Sequence, residues 1–169
     1  MKKNLFFLTF FLLIGCESNT FTTTKISCPD VFFAAEHTKY IDSNTQPISI
    51  DNLSYSANIN NYAFNSDCLI IEDMIQAELS LLFIVKPYQV EVRQVNLPFY
   101  VAILNEMNEV VDIQYYQIEG NLKSDRETKK YIETELTNTI TVQIPSLDDS
   151  RNTLVVGFML DKKKLEVLN

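Results

Sequence analysis

The sequence predicts an all-β domain: an antiparallel immunoglobulin- or fibronectin-III-like sandwich of about seven strands, with a closed β-barrel as the alternative. Three observations predict it. Apolar and polar residues alternate with a period of two through several stretches, the periodicity of a strand with one buried face. Clusters of Asn, Asp, Ser and Pro interrupt those stretches at short intervals. No long stretch keeps the three-and-four spacing of an amphipathic helix.

Taken in order, Cys28-Pro29 opens the folded part, and Val31-Phe32-Phe33-Ala34-Ala35 is a short aromatic-rich strand. Residues 42–53 read as loop, punctuated by Pro47. Tyr55, Ala57 and Ile59 alternate with Ser56, Asn58 and Asn60, a half-buried strand. Asn65-Ser66-Asp67 turns the chain into Cys68-Leu69-Ile70-Ile71. The clearest alternation runs Ile75, Ala77, Leu79, Leu81, Phe83, Val85 and is stopped by Lys86-Pro87. Leu82 and Ile84 make its second half apolar on both sides, as in a central strand. Val95, Leu97, Phe99, Val101 and Ile103 repeat the pattern, and Pro98 puts that portion at an edge or a bulge. Asn105-Glu106-Met107-Asn108 is a hairpin loop, with Val110 to Glu119 as the returning strand.

Residues 124–136 allow a helix through Ser124-Asp125-Arg126-Glu127, a capping-box pattern. The Thr-rich face of Thr137, Thr139 and Thr141 favours a strand over 131–144 instead. Thr153 to Leu160 is apolar on both faces, a buried strand, and Asp161 to Glu166 closes as one helical turn.

The first residues have a different character. Lys2 and Lys3 precede a ten-residue run from Leu5 to Ile14, half of the roughly 20 apolar residues that span a bilayer. The order of positive charge, short apolar core, Leu13-Ile14-Gly15 and Cys16 closely resembles a bacterial lipoprotein signal. That resemblance implies cleavage before Cys16, a diacylglyceryl thioether on its sulfur and a third acyl chain on the new N-terminus. Each buried CH₂ contributes about 0.8 kcal/mol, so several acyl chains hold a protein on a membrane almost permanently. Glu17 follows where Asp would favour retention in the inner membrane, so the expected address is the periplasmic side of the outer membrane. The expected organisation is a signal peptide over 1–15, a lipidated tether over 16–27 and one domain over 28–169. The tether reaches at most about 36 Å.

With Cys16 assigned to lipid, Cys28 and Cys68 remain as a pair and are expected to form a disulfide; two buried thiols are the other reading. Removing residues 1–15 takes away Lys2 and Lys3 and moves the net charge from −8 to −10. So acidic a surface argues against nucleic acid as a partner. A further resemblance, to small bacterial lipoproteins with an immunoglobulin-like sandwich, rests on Cys28-Pro29, the Cys68 turn, Leu97-Pro98-Phe99-Tyr100-Val101-Ala102 and Val156-Gly157-Phe158. It implies the sandwich and carries no activity or catalytic residue.

Few residues point to chemistry. His37, within Glu36-His37-Thr38-Lys39, is the single imidazole, with no Gly-x-Ser-x-Gly nucleophile turn to serve. Glu133 with Glu135, and Asp112 with Gln114, lie two apart as on one strand face, a pattern that solvated faces carry routinely. Asp148-Asp149-Ser150 lacks the spacing of a calcium loop. Neither metal nor cofactor is expected beyond the covalent lipid.

Aromatic residues are more suggestive: there are 11 Phe and 8 Tyr. Adjacent residues on a strand face opposite ways, so one of Tyr115 and Tyr116 is outside. Tyr100, opposite the core-facing set, joins Tyr115 or Tyr116 across the hairpin in a candidate binding patch; packing within the sheet is the other reading. The expected function is therefore a non-enzymatic, membrane-anchored adaptor or accessory subunit with a protein partner in the cell envelope. The alternative is a binding module for a small molecule or glycan.

Overall fold

The computed structural model describes residues 23–128, 130–145 and 152–168. Ten strands follow in order: β1 (Thr24–Ile26), β2 (Asp30–Phe33), β3 (Lys39–Asp42), β4 (Tyr55–Phe64), β5 (Cys68–Ile71), β6 (Met74–Pro87), β7 (Gln94–Leu104), β8 (Val110–Asn121), β9 (Thr134–Pro145) and β10 (Thr153–Phe158). A two-turn helix, α1 (Lys162–Leu168), ends the described chain. The strands form two sheets that stay separate, so the protein is an all-β sandwich and the closed barrel is set aside.

The six-stranded sheet is built around β6. One side of β6 pairs along its length with β9; the other pairs with β4 and then β5, which lead outward to β3 and β1. The four-stranded sheet runs β2-β10-β7-β8, with β2 parallel to β10 and the other pairs antiparallel. The alternation in β6 works as its sequence requires: Ala77, Leu79, Leu81, Phe83 and Val85 are all fully buried. Facing them are Leu97, Phe99, Val101 and Ile103 of β7 and Leu154, Val156 and Phe158 of β10. Phe83 meets Phe99 at 5.3 Å and Phe158 at 5.7 Å between ring centroids, in the tilted geometry aromatic pairs favour.

Several boundaries differ from the sequence reading. Among the described residues there are ten strands rather than about seven, because β1, β3 and β5 are three or four residues long and carry no readable period. Residues 24–26, placed in the tether by their polar composition, instead pair with β5 as β1. Ala35 belongs to a 3-10 turn with Glu36 and His37, so His37 is not on a strand. The expected strand over 131–144 begins three residues later, at Thr134, and runs to Pro145. Glu133 thus falls just outside β9, the strand that contains Glu135. Pro98 sits where β10 has ended: its carbonyl accepts from Met159 N–H at 3.0 Å, on the side where its own missing N–H costs nothing.

Cys28 and Cys68 form the disulfide, with Cα atoms 5.1 Å apart and 40 residues between them in sequence. The bond joins the chain just after β1 to the first residue of β5, the strand β1 pairs with. Cross-linking a loop of that length stabilises a fold by about 4 kcal/mol in the chain-entropy model.

Candidate functional site

Strand β8 decides the character of the outer surface. Its apolar residues change parity midway: Val111, Ile113 and Tyr115 lie on one face, Tyr116 and Ile118 on the other. The fold turns Tyr116 and Ile118 inward, so Ile113 and Tyr115 point to solvent, and Tyr115 is 64 % exposed. Tyr116 stacks on Phe99 with centroids 5.5 Å apart. Its hydroxyl lies 3.0 Å from the Thr141 carbonyl and 2.8 Å from Gln114 Oε1, one proton shared between two acceptors. Burial, with a smaller push from Asp112, raises the Tyr116 phenol above its ordinary range. Tyr116 therefore leaves the candidate patch; it is a packing residue.

Tyr100 and Tyr115 are the patch. They are direct partners in the β7–β8 ladder, on the outer face of the four-stranded sheet. The next row along that face contains Phe32, Val155, Ala102 and Ile113, one residue from each strand, with Phe32 59 % exposed. Neither row carries a charge. Exposed Val110 and Met159 extend the apolar character at its margins.

Beside this face, His37 and Tyr100 close over Gly157. A Cβ on Gly157 would come within 2.7 Å of the Tyr100 hydroxyl and 2.8 Å of His37 Cβ, so the close approach requires glycine. His37 Nδ1 lies 3.1 Å from the Phe158 carbonyl and 3.2 Å from the Tyr100 hydroxyl. A carbonyl only accepts, so Nδ1 carries the proton in that bond. The His37 contacts are thus a backbone carbonyl and a phenol, with no carboxylate or nucleophile among them.

A groove of about 530 Å³ continues from His37 and Tyr100 past Phe158 to Tyr40 and Lys164. Lys164, from α1, lies 4.0 Å from the centroid of the Tyr40 ring; its ammonium donates to the Tyr40 hydroxyl at 2.6 Å and pairs with Asp42 at 3.4 Å. Burial, helped by Asp42 and Asp161, pushes the Tyr40 phenol up to about 12. A larger polar cleft of about 940 Å³ is lined by Asp42, Asn44, Arg93, Asn96, Glu119 and Asn121 among others. Its one aromatic residue, Tyr55, is buried with its hydroxyl donated to the Asn96 carbonyl.

The remaining candidates do not gather. Asp112 accepts from Gln114 Nε2 at 3.0 Å on an exposed strand, and Glu135 is exposed on β9. Among the described residues, no group of three or more His, Cys, Asp or Glu is placed to hold a metal. No described helix is long and apolar enough to cross a membrane. Cys16, the residues before it and Asp148-Asp149-Ser150 lie outside the described residues. No family model matches this chain, and neither a curated protein nor a solved structure does so.

The sequence pointed to Tyr100 and Tyr115, but not to Phe32, Val155, Ala102 or Ile113. What hid them is pairing: the row exists only once β2 and β10, far apart in sequence, lie side by side.

Proposed function

We propose that this chain is a lipid-anchored envelope protein, held through Cys16 on the periplasmic side of the outer membrane. It works without catalysis, as an adaptor or accessory subunit that offers the outer face of its four-stranded sheet to a protein partner. One observation carries this reading: a chain of net charge −8 keeps two adjacent cross-strand rows free of charge while exposing Phe32, Ile113 and Tyr115. Large exposed apolar residues gathered on one face, with tyrosine among them, are the composition of a docking surface.

Mild cross-linking of the full chain in its native envelope tests it. The expected result is one discrete cross-linked species with wild type that disappears with Ile113→Lys. A chain that stays partner-free, or a species indifferent to Ile113→Lys, overturns the docking face. Cys16→Ser is expected to move the protein from the membrane to the soluble fraction; retention overturns the anchor.

The second reading, a small-molecule or glycan module, draws support from the groove between His37, Tyr100, Tyr40 and Lys164, where aromatic walls meet an ammonium. Loss of ligand binding in Tyr40→Ala with the cross-linked species intact would favour it.

A further inference from the structure

Every sandwich of open sheets must deal with its edge strands, whose free N–H and C=O groups invite pairing. In this protein β1, β2 and β3 are edges of three or four residues, too short to template much. The long edge of β9 is covered from across the sandwich: the Gln114 side-chain amide donates to the Gln143 carbonyl and accepts from Gln143 N–H, while Tyr116 reaches Thr141. Among the described residues, the edge of β8 has no such cover. Twelve residues long, it contains no Lys, Arg or Pro, the usual guards of an exposed edge. Its only irregularity is a bulge near Val111, at the hairpin end.

The register shows which backbone groups are free. The Pro98 carbonyl points toward β10, where it meets Met159 N–H. Its partner Gln117 therefore points its own backbone the opposite way, out of the sheet. Alternation extends this to Ile113, Tyr115 and Glu119. The residues with open hydrogen-bonding groups are thus the ones whose side chains stand on the exposed outer face.

We propose that the β8 edge pairs antiparallel with the β8 edge of a second copy of this chain, about a two-fold axis at Tyr115. A strand pairing with itself must avoid setting like charges opposite one another, a strict condition in so acidic a chain. With the axis at Tyr115, near the middle of β8, Ile113 faces Gln117, Gln114 faces Tyr116, Asp112 faces Ile118 and Val111 faces Glu119. No carboxylate meets another. Moving the axis to Gln114 would set Glu109 opposite Glu119. The Tyr115 axis also places the most exposed aromatic of the strand against its own copy, where it stays in line with Tyr100 on each side. Four tyrosines then form one row across a continuous eight-stranded sheet, and two uncharged faces become one platform.

The test uses the purified full chain in detergent, with no envelope partner present, so that it reads self-association apart from the adaptor reading. Light scattering is expected to give a dimer at roughly tens of micromolar. Amide exchange at Ile113, Tyr115 and Gln117 is expected to slow as concentration rises, while that at Gln114 and Tyr116, bonded within the sheet, does not change. Tyr115→Pro removes an N–H that faces away from β7, so the fold keeps its ladder while the dimer dissociation constant rises on the order of tenfold or more. Gln117→Lys adds a charge at the same edge and should do likewise, and it decides the matter if Tyr115→Pro does not fold. A monomeric wild type, or a dimer that neither folded variant weakens, overturns the proposal.

Discussion

Strands β8 and β9 stand on the same open side of the sandwich, each the last strand of its sheet on that side, yet they end differently. β9 has its outer backbone occupied by side chains reaching across from β8; among the described residues, β8 has nothing over its own. The same strand supplies the cover and goes without it. Its inward residues, Gln114 and Tyr116, serve β9, and its outward residues, Ile113 and Tyr115, are left in solvent. An apolar residue left outside while a polar one from the same strand turns inward reverses the usual economy of a sheet face. It teaches that packing sets the inner side of β8 and leaves the outer side unspecified.

The largest expected effect concerns the shortest edge, which has neither side-chain cover nor length and is tied covalently instead. Replacing Cys28 and Cys68 together by Ala should lower unfolding free energy by about 4 kcal/mol, read from urea denaturation. Proteolysis should then cut first near β1, which loses its tie to β5. If β1 stays protected, its pairing alone secures that edge.

Next comes the contrast between neighbours. Tyr116→Ala removes the stack on Phe99 and the bond to Thr141 and should cost about 3–4 kcal/mol. Tyr115→Ala, one residue away and exposed, should stay within about 0.5 kcal/mol when measured on dilute monomer. Equal losses at the two positions would dissolve the distinction between a packed and a presented face of β8.

The last effect is electrostatic and appears only in alkali. The Tyr40, Tyr55 and Tyr116 phenols all titrate above their ordinary value, chiefly through burial. Their folded-state pKa exceeds that of the unfolded chain, so the stability they contribute is complete below about pH 10 and drains as the pH rises beyond it. For Tyr40 the loss continues until its folded value near 12, at up to about 1.4 kcal/mol per pH unit. Unfolding midpoints from pH 8 to 12 should show this fall, made shallower by Tyr40→Phe or Tyr116→Phe. A flat profile would mean that these phenols are not held protonated by the fold.

How much of this was legible in the sequence follows from the range of the forces involved. Alternation is a local property, and wherever it ran long enough, as in β6 and β7, it named the buried residues correctly. Proline at 87 ended β6 where expected, and setting Cys16 aside left Cys28 and Cys68 as the pair that forms the disulfide. Short strands escaped because three or four residues cannot display a period; β1 and β3 exist because β5 and β4 hold them. The candidate site was half legible for the same reason. Tyr100 and Tyr115 are joined by a hairpin, a contact made within about fifteen residues and foreseeable from the loop between them.

By itself, then, the amino-acid order determined that this chain makes an all-β structure, where its long strands run and that one of two adjacent tyrosines must lie outside. Only the tertiary structure decided which one. Val111, Ile113 and Tyr115 offered the core as regular a stripe as Tyr116 and Ile118 did. The choice fell to Phe99, which stacks on Tyr116, and to Thr141, which accepts its hydroxyl. Phe99 is a hairpin neighbour, but Thr141 belongs to the other sheet, and a strand cannot know which of its faces will meet that partner until the second sheet is in place.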